Sequence, residues 1–177
     1  MKNKFTFLAL VFGLVFCGIS VSAVGKESKE AKLVREAKIT MAQARQTALA
    51  RVPGTIEMAQ LEREKGKVLF EFEIHKADNN AEVMIHVDAV SGEIFETKEE
   101  KGGGSAKEKA MFDQIKVSMD SAEQTALNKV SGAVVKVEIE RERGKLLYEF
   151  EIITSDGKEE MVHVDAVSGE IESVGKK

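Results

Sequence analysis

Apolar residues recur at every second position in Val68, Phe70, Phe72 and Ile74, with Glu71, Glu73 and His75 among the residues between them. A period of two with one apolar face predicts a half-buried antiparallel strand. Leu146, Tyr148, Phe150 and Ile152 repeat the pattern. Strands at about 56–64 and about 134–142 are expected to precede these two, turning at Lys65-Gly66 and Arg143-Gly144. Glycine supplies the positive φ that such a hairpin needs. A further strand directs Ile85 and Val87 inward, and His86 and Asp88 outward. Upstream of each set the period changes. Thr40-x-x-Gln43 reads as a capping box, and Ala44, Ala48, Leu49 and Val52 then fall at helical spacing until Pro53-Gly54. Ser118, Ala122, Ala126, Leu127 and Val130 do the same until Ser131-Gly132. Leu33, Val34 and Ala37 align with Met111, Phe112 and Ile115, which predicts an earlier helical segment in each half.

The chain is therefore a duplication. Residues 86–94 read HVDAVSGEI, and residues 163–171 read the same, 77 positions on. Most other matches, such as Gln46-Thr47-Ala48-Leu49 with Gln124-Thr125-Ala126-Leu127, lie 78 apart. One residue is thus lost between Ile152 and His163, in a stretch with turn composition. The nonapeptide reads as a strand end and a turn: Val87 and Ile94 enter the core, Asp88 and Ser91 bond nearby backbone, and Gly92 takes a conformation other residues resist. Only His86 is left without a structural task.

The predicted architecture is α+β: two tandem repeats, each an α-helix packed on a three- to four-stranded antiparallel β-sheet. The expected boundaries are a lead-in at 24–36, repeat one at 37–98, a Gly-rich linker at 99–110 and repeat two at 111–174. A unit of about 60 residues has a small core, so burial between the units would help both. The Gly102-Gly103-Gly104 run argues against rigid docking.

Two lysines in the first four residues, a charge-free apolar run from Phe5 to Ser22 and small residues at Val21-Ser22-Ala23 predict a cleaved signal peptide at 1–23. An uncleaved anchor is the rival reading. Cleavage removes Cys17, the only cysteine, so disulfide and thiol chemistry are excluded from the mature chain. It also removes 2 of the 26 basic residues, leaving 24 against 30 acids, a net charge of −6. That balance disfavours nucleic acid and anionic membrane surfaces as partners and permits a weakly held divalent cation. The expected location is secreted or periplasmic.

Lys38 to Ala44 with Ala48-Leu49 and Pro53-Gly54, then Glu62 to Ile74, then Val87-Asp88-Ala89-Val90-Ser91-Gly92-Glu93-Ile94 resemble the PepSY domain, whose hallmark ends in V-D-A-x-x-G-E-I/V. Both repeats fit, at about 37–96 and 115–173, although Ser131 stands where the family often has proline. The resemblance implies a non-catalytic module that contacts a peptidase, inhibiting or chaperoning it. No protease is attached here, so a target would be met in trans.

The residues themselves offer one further chemistry. His86 and Asp88 lie i, i+2 on one strand face, and His163 and Asp165 repeat them. Glu71 with Glu73, and Glu149 with Glu151, mark the polar face of the neighbouring strand. Imidazole and carboxylates converging there would suit a divalent cation; a charged solvent-facing sheet is the plainer alternative. No cofactor is expected. Catalysis has little support: the chain has no His-Glu-x-x-His, no Gly-x-Ser-x-Gly and no Gly-x-x-x-x-Gly-Lys.

Overall fold

The computed structural model describes residues 27–79, 81–99 and 104–176. The expected signal peptide and Cys17 lie outside the described residues. Repeat one comprises α1 (Lys29–Glu36), α2 (Met41–Arg51), β1 (Gly54–Glu64), β2 (Lys67–Lys76), β3 (Glu82–Asp88) and β4 (Ile94–Glu99). Repeat two comprises α3 (Ala106–Phe112), α4 (Met119–Lys129), β5 (Ala133–Glu142), β6 (Lys145–Ile153), β7 (Glu159–Asp165) and β8 (Ile171–Lys176). Ser105 caps α3 through a full capping box, so that helix starts inside the stretch expected to be linker. The Thr40–Gln43 capping box is present in α2.

The hairpin turns take positive φ at two residues each, Lys65 and Gly66, then Arg143 and Gly144. This is the backbone of a two-residue turn whose twist matches the strands. Helix α2 stops at Arg51 and α4 at Lys129, and the glycines that follow have a second cause. A Cβ on Gly54 would collide with the carbonyl oxygen of His75, and one on Gly132 with that of Ile153. The first strand of each repeat therefore approaches its neighbour closely where it begins.

The eight strands form one antiparallel sheet in the order β4-β3-β2-β1-β5-β6-β7-β8. This corrects the expectation of loosely joined units. Between β1 and β5 the register pairs Met58 with Glu138, Ala59 with Val137 and Gln60 with Lys136. Val137 is the counterpart of Ala59, 78 residues on, and the flanking pairs exchange counterparts. A pseudo-twofold axis thus passes through the Ala59–Val137 pair. Both residues are fully buried.

The same axis relates Arg45 on α2 to Glu123 on α4, which are also counterparts. Arg45 Nη1 donates to Glu123 Oε2 at 2.6 Å, and its Nε and Nη2 both reach Asp120 Oδ1. Arg45 and Glu123 are buried, whereas Asp120 is exposed. The lead-in helices cross the axis too. Phe112 of α3 lies with its ring 4.7 Å from that of His75 on β2, and Val34 of α1 lines a cavity with Leu127 and Val134 of repeat two. One apolar core results, with Phe72 and Phe150 wholly enclosed.

The repeats differ where β1 and β5 bulge. The shift falls at Glu57 in repeat one and at Val135 in repeat two. Glu57 Oε2 stands 2.5 Å from His75 Nε2, while the counterparts Val135 and Ile153 are both buried apolar residues.

Removing one partner of a buried ion pair leaves the other uncompensated, at about 3–5 kcal/mol, whereas a well-packed apolar pair can be nearly neutral. Arg45→Leu is therefore expected to destabilise strongly, and Arg45→Leu with Glu123→Leu less than Arg45→Leu alone. Urea unfolding of the wild type, both single variants and the double variant gives the coupling directly; additive losses would refute it.

Candidate functional site: a carboxylate–histidine row across each repeat

Alternation puts Glu71 on the face opposite Phe70 and Phe72. The register then lines up a row across four strands: Gln60 on β1, Glu71 on β2, His86 on β3 and Glu96 on β4. Gln60 Nε2 donates to Glu71 Oε1 at 3.0 Å, and Glu71 Oε2 accepts from His86 Nε2 at 2.8 Å. Glu62 and Glu64 follow Gln60 along β1 with the same parity. Glu62 Oε1 comes within 3.7 Å of His86 Nε2, and Glu64 Oε2 within 3.6 Å of His86 Nδ1. Glu96 Oε2 is also 3.6 Å from Nδ1. Under these side chains the histidine is only 2% exposed.

The crowding shows in the acid strengths. Burial, followed by the neighbouring Glu71 charge, raises the Glu62 carboxyl above the usual range. Hydrogen bonds from Lys98 and Lys65 lower that of Glu96. Repeat two has the same row with Glu138, Glu149, His163 and Ser173. His163 Nε2 is 2.8 Å from Glu149 Oε2 and 3.5 Å from Glu140 Oε1. Burial and Glu149 raise the Glu140 carboxyl in turn. Ser173 Oγ lies 2.7 Å from His163 Nδ1, where repeat one has Glu96.

Of the residues singled out in sequence, the structure unites His86 with Glu71 and His163 with Glu149. It commits Asp88 and Asp165 elsewhere. Asp88 Oδ1 accepts from the backbone N–H of Val90 and of Ser91, and Oδ2 from Lys67 at 3.0 Å. Those bonds hold its carboxyl down at about 2. Asp165 accepts in the same way from Val167 and Ser168. Glu73 stands opposite Met84 rather than His86, its carboxyl raised by burial and by Glu82, and Glu151 stands opposite Met161. Sequence reasoning missed Glu62, Glu64 and Glu96, with Glu140, Glu142 and Ser173. The hairpin turn at 65–66 was the available signal, because it fixes Glu64 opposite Lys67 and so sets the parity of β1.

The nonapeptide closes each repeat. Asp88 N–H donates to Glu93 O, Gly92 N–H at φ 78° donates to Asp88 O, and Ala89 O accepts from Lys38 and Ile39 at the entry to α2. The turn therefore ties the sheet to its helix, and the second copy does so through Ala166, Lys116 and Val117.

A helix laid on a four-stranded antiparallel meander, given twice and locked each time by an Asp–Gly turn, defines a tandem α+β module. The chain belongs to the PepSY family, described as "Peptidase propeptide and YPEB domain", which matches residues 38–98 and again 116–174. It is 27% identical over 173 residues to the Bacillus subtilis (strain 168) protein YkoJ, spanning 97% of this chain and 95% of that one. Among solved structures it is similar to CD1622 from Clostridium difficile 630, with a TM-score of 0.46 and 20% identity over 82% of this chain and 97% of that one. The YpmB protein of Bacillus subtilis gives 0.35 at 17% identity, covering 86% and 100% of the two chains.

Backbone hydrogen bonds to an ionised carboxylate stabilise by about 1.5–3 kcal/mol. The Asp165 carboxyl is lowered first by its bond from Ser168. A depressed folded-state value means stability that is present above the unfolded value near 4 and is lost as pH falls through the folded one. Asp165→Ala is expected to lower the midpoint of urea unfolding at pH 7, and the gap from wild type should shrink as pH falls below about 4. A gap independent of pH would contradict this origin.

Proposed function

We propose that this is an exported, non-catalytic binding protein that contacts a secreted or envelope peptidase in trans and restrains or chaperones it. The carrying observation is the pair of open sheet edges. Strands β4 and β8 end the sheet and expose Phe95 and Val174. An extended segment of a partner can add to such an edge, its main chain supplying hydrogen bonds and its side chains the selectivity. Eight strands at about 4.8 Å spacing put the edges roughly 34 Å apart, far enough for two contacts on one partner.

Three further points support the reading. The family description names peptidase propeptides. The charged-then-apolar stretch at 1–23 has the composition of an export signal. Among the described residues, no helix is long and apolar enough to cross a membrane.

Purified residues 24–177 are expected to inhibit or retain an exported metallopeptidase of the source organism in an activity assay with immobilised protein. Phe95→Glu and Val174→Glu, at opposite edges, should each weaken that interaction about tenfold, near 1.4 kcal/mol, with little change in Tm. If the wild type neither binds nor slows any such peptidase, the reading fails.

A further inference from the structure

We propose that His86, Glu64 and Glu62 form a site for one divalent transition-metal ion of the zinc type, and that only the first repeat carries it. His86 Nδ1 is the central atom of the site. The ring is enclosed, yet this nitrogen has no hydrogen-bond partner among the described residues, and neither does the buried Oε2 of Glu64. The two atoms face each other at 3.6 Å. That is too long for a hydrogen bond. It is close to the separation of two ligands on one tetrahedral ion, about 3.4 Å for bonds of 2.0–2.2 Å. One ligand atom each of Glu62, Glu64 and His86 lie within 4.8 Å of one another, with Glu62 Oε1 on the Nε2 side of the ring at 3.7 Å.

The surroundings fit the same ligand. Glu71 engages His86 Nε2 at 2.8 Å, which leaves Nδ1 as the ring nitrogen open to an ion. A carboxylate behind the imidazole is the usual support of a metal-binding histidine. Glu96 also faces Nδ1, but its Oε2 is held by Lys65 at 3.1 Å and Lys98 at 3.0 Å, so it belongs to the rim. Carboxylates outnumber ammonium groups around the ring, a balance that suits a divalent cation. One imidazole with carboxylates favours a first-row transition ion over calcium or magnesium, which prefer oxygen alone.

Repeat two supplies the internal control. Glu140, Glu142 and His163 have comparable spacing. There, however, Ser173 replaces Glu96 and occupies Nδ1 at 2.7 Å, and Glu149 holds Nε2, so both ring nitrogens are partnered. Glu142 is exposed. This assignment is independent of the peptidase reading and uses neither sheet edge.

The test is calorimetric titration of metal-stripped residues 24–177 with Zn²⁺, alongside Co²⁺ absorption spectra, with no peptidase present. One equivalent is expected, with Co²⁺ bands of a nitrogen- and oxygen-ligated site. Glu64→Gln alters a partly exposed side chain and should fold, so it is the deciding variant; it should weaken binding at least tenfold. Glu71→Gln should weaken it about 10- to 100-fold by releasing the ring. His163→Gln should leave affinity and stoichiometry unchanged. Absence of saturable binding would overturn the proposal and leave the cluster as a histidine held among carboxylates. Two equivalents, binding indifferent to Glu64→Gln, or binding lost in His163→Gln would overturn it equally.

Discussion

The pairing of β1 with β5 about the Ala59–Val137 axis is the contact on which the rest of the molecule depends. A single repeat of this size buries little, and its first strand would be an open edge facing water. Joining the two first strands removes both edges at once. It also brings α2 and α4 together over the join, so that one core replaces two marginal ones. The lead-in helices reinforce this because each reaches over the other repeat, as Phe112 does against His75.

Symmetry then creates a problem that the sequence resolves at one position. Two identical repeats about a twofold axis would set Arg45 against Arg45, or glutamate against glutamate, in a buried place. Like charges there would cost several kcal/mol. Arginine in one copy and glutamate in the other turns the conflict into a pair, with Asp120 adding a second acceptor. The consequence is specificity: repeat one fits repeat two better than it fits another copy of itself. Divergence at the bulges follows similar logic. Glu57 with His75 and Val135 with Ile153 are polar and apolar solutions at equivalent positions.

Much of this was legible in the chain. Period-two strands, hairpin turns, the capping box and the nonapeptide turn are local signals, and each formed where its residues indicated. The union of the two sheets was not legible, because strand edges carry no mark of their partner and the Gly-rich connector pointed to loose docking. The bulges at Glu57 and Val135 also lack a local signature. At the candidate site, alternation placed His86 and Glu71 on one face correctly but implied a solvated histidine. The side chains of Glu62, Glu64, Glu71 and Glu96 crowd its ring and bury it instead. Asp88 took the turn role that its place in the nonapeptide indicated, bonding two backbone N–H groups of its own turn rather than facing the ring of His86.

The repeated nonapeptide is accordingly kept for folding, and its histidine is the part that duplication sets free. Val87, Asp88, Ala89, Gly92 and Ile94 are all engaged within the turn, core or helix junction, so none can change alone without cost. His86 and His163 meet their neighbours only through side chains borne on other strands. Their environments can therefore drift without disturbing the turn, and they have: one substitution, serine at 173 for glutamate at 96, fills the second ring nitrogen in one repeat and leaves it open in the other. Conservation of the motif and divergence of its surroundings thus have a single physical cause, the division of labour between backbone-bound turn residues and a histidine held only by its side chain.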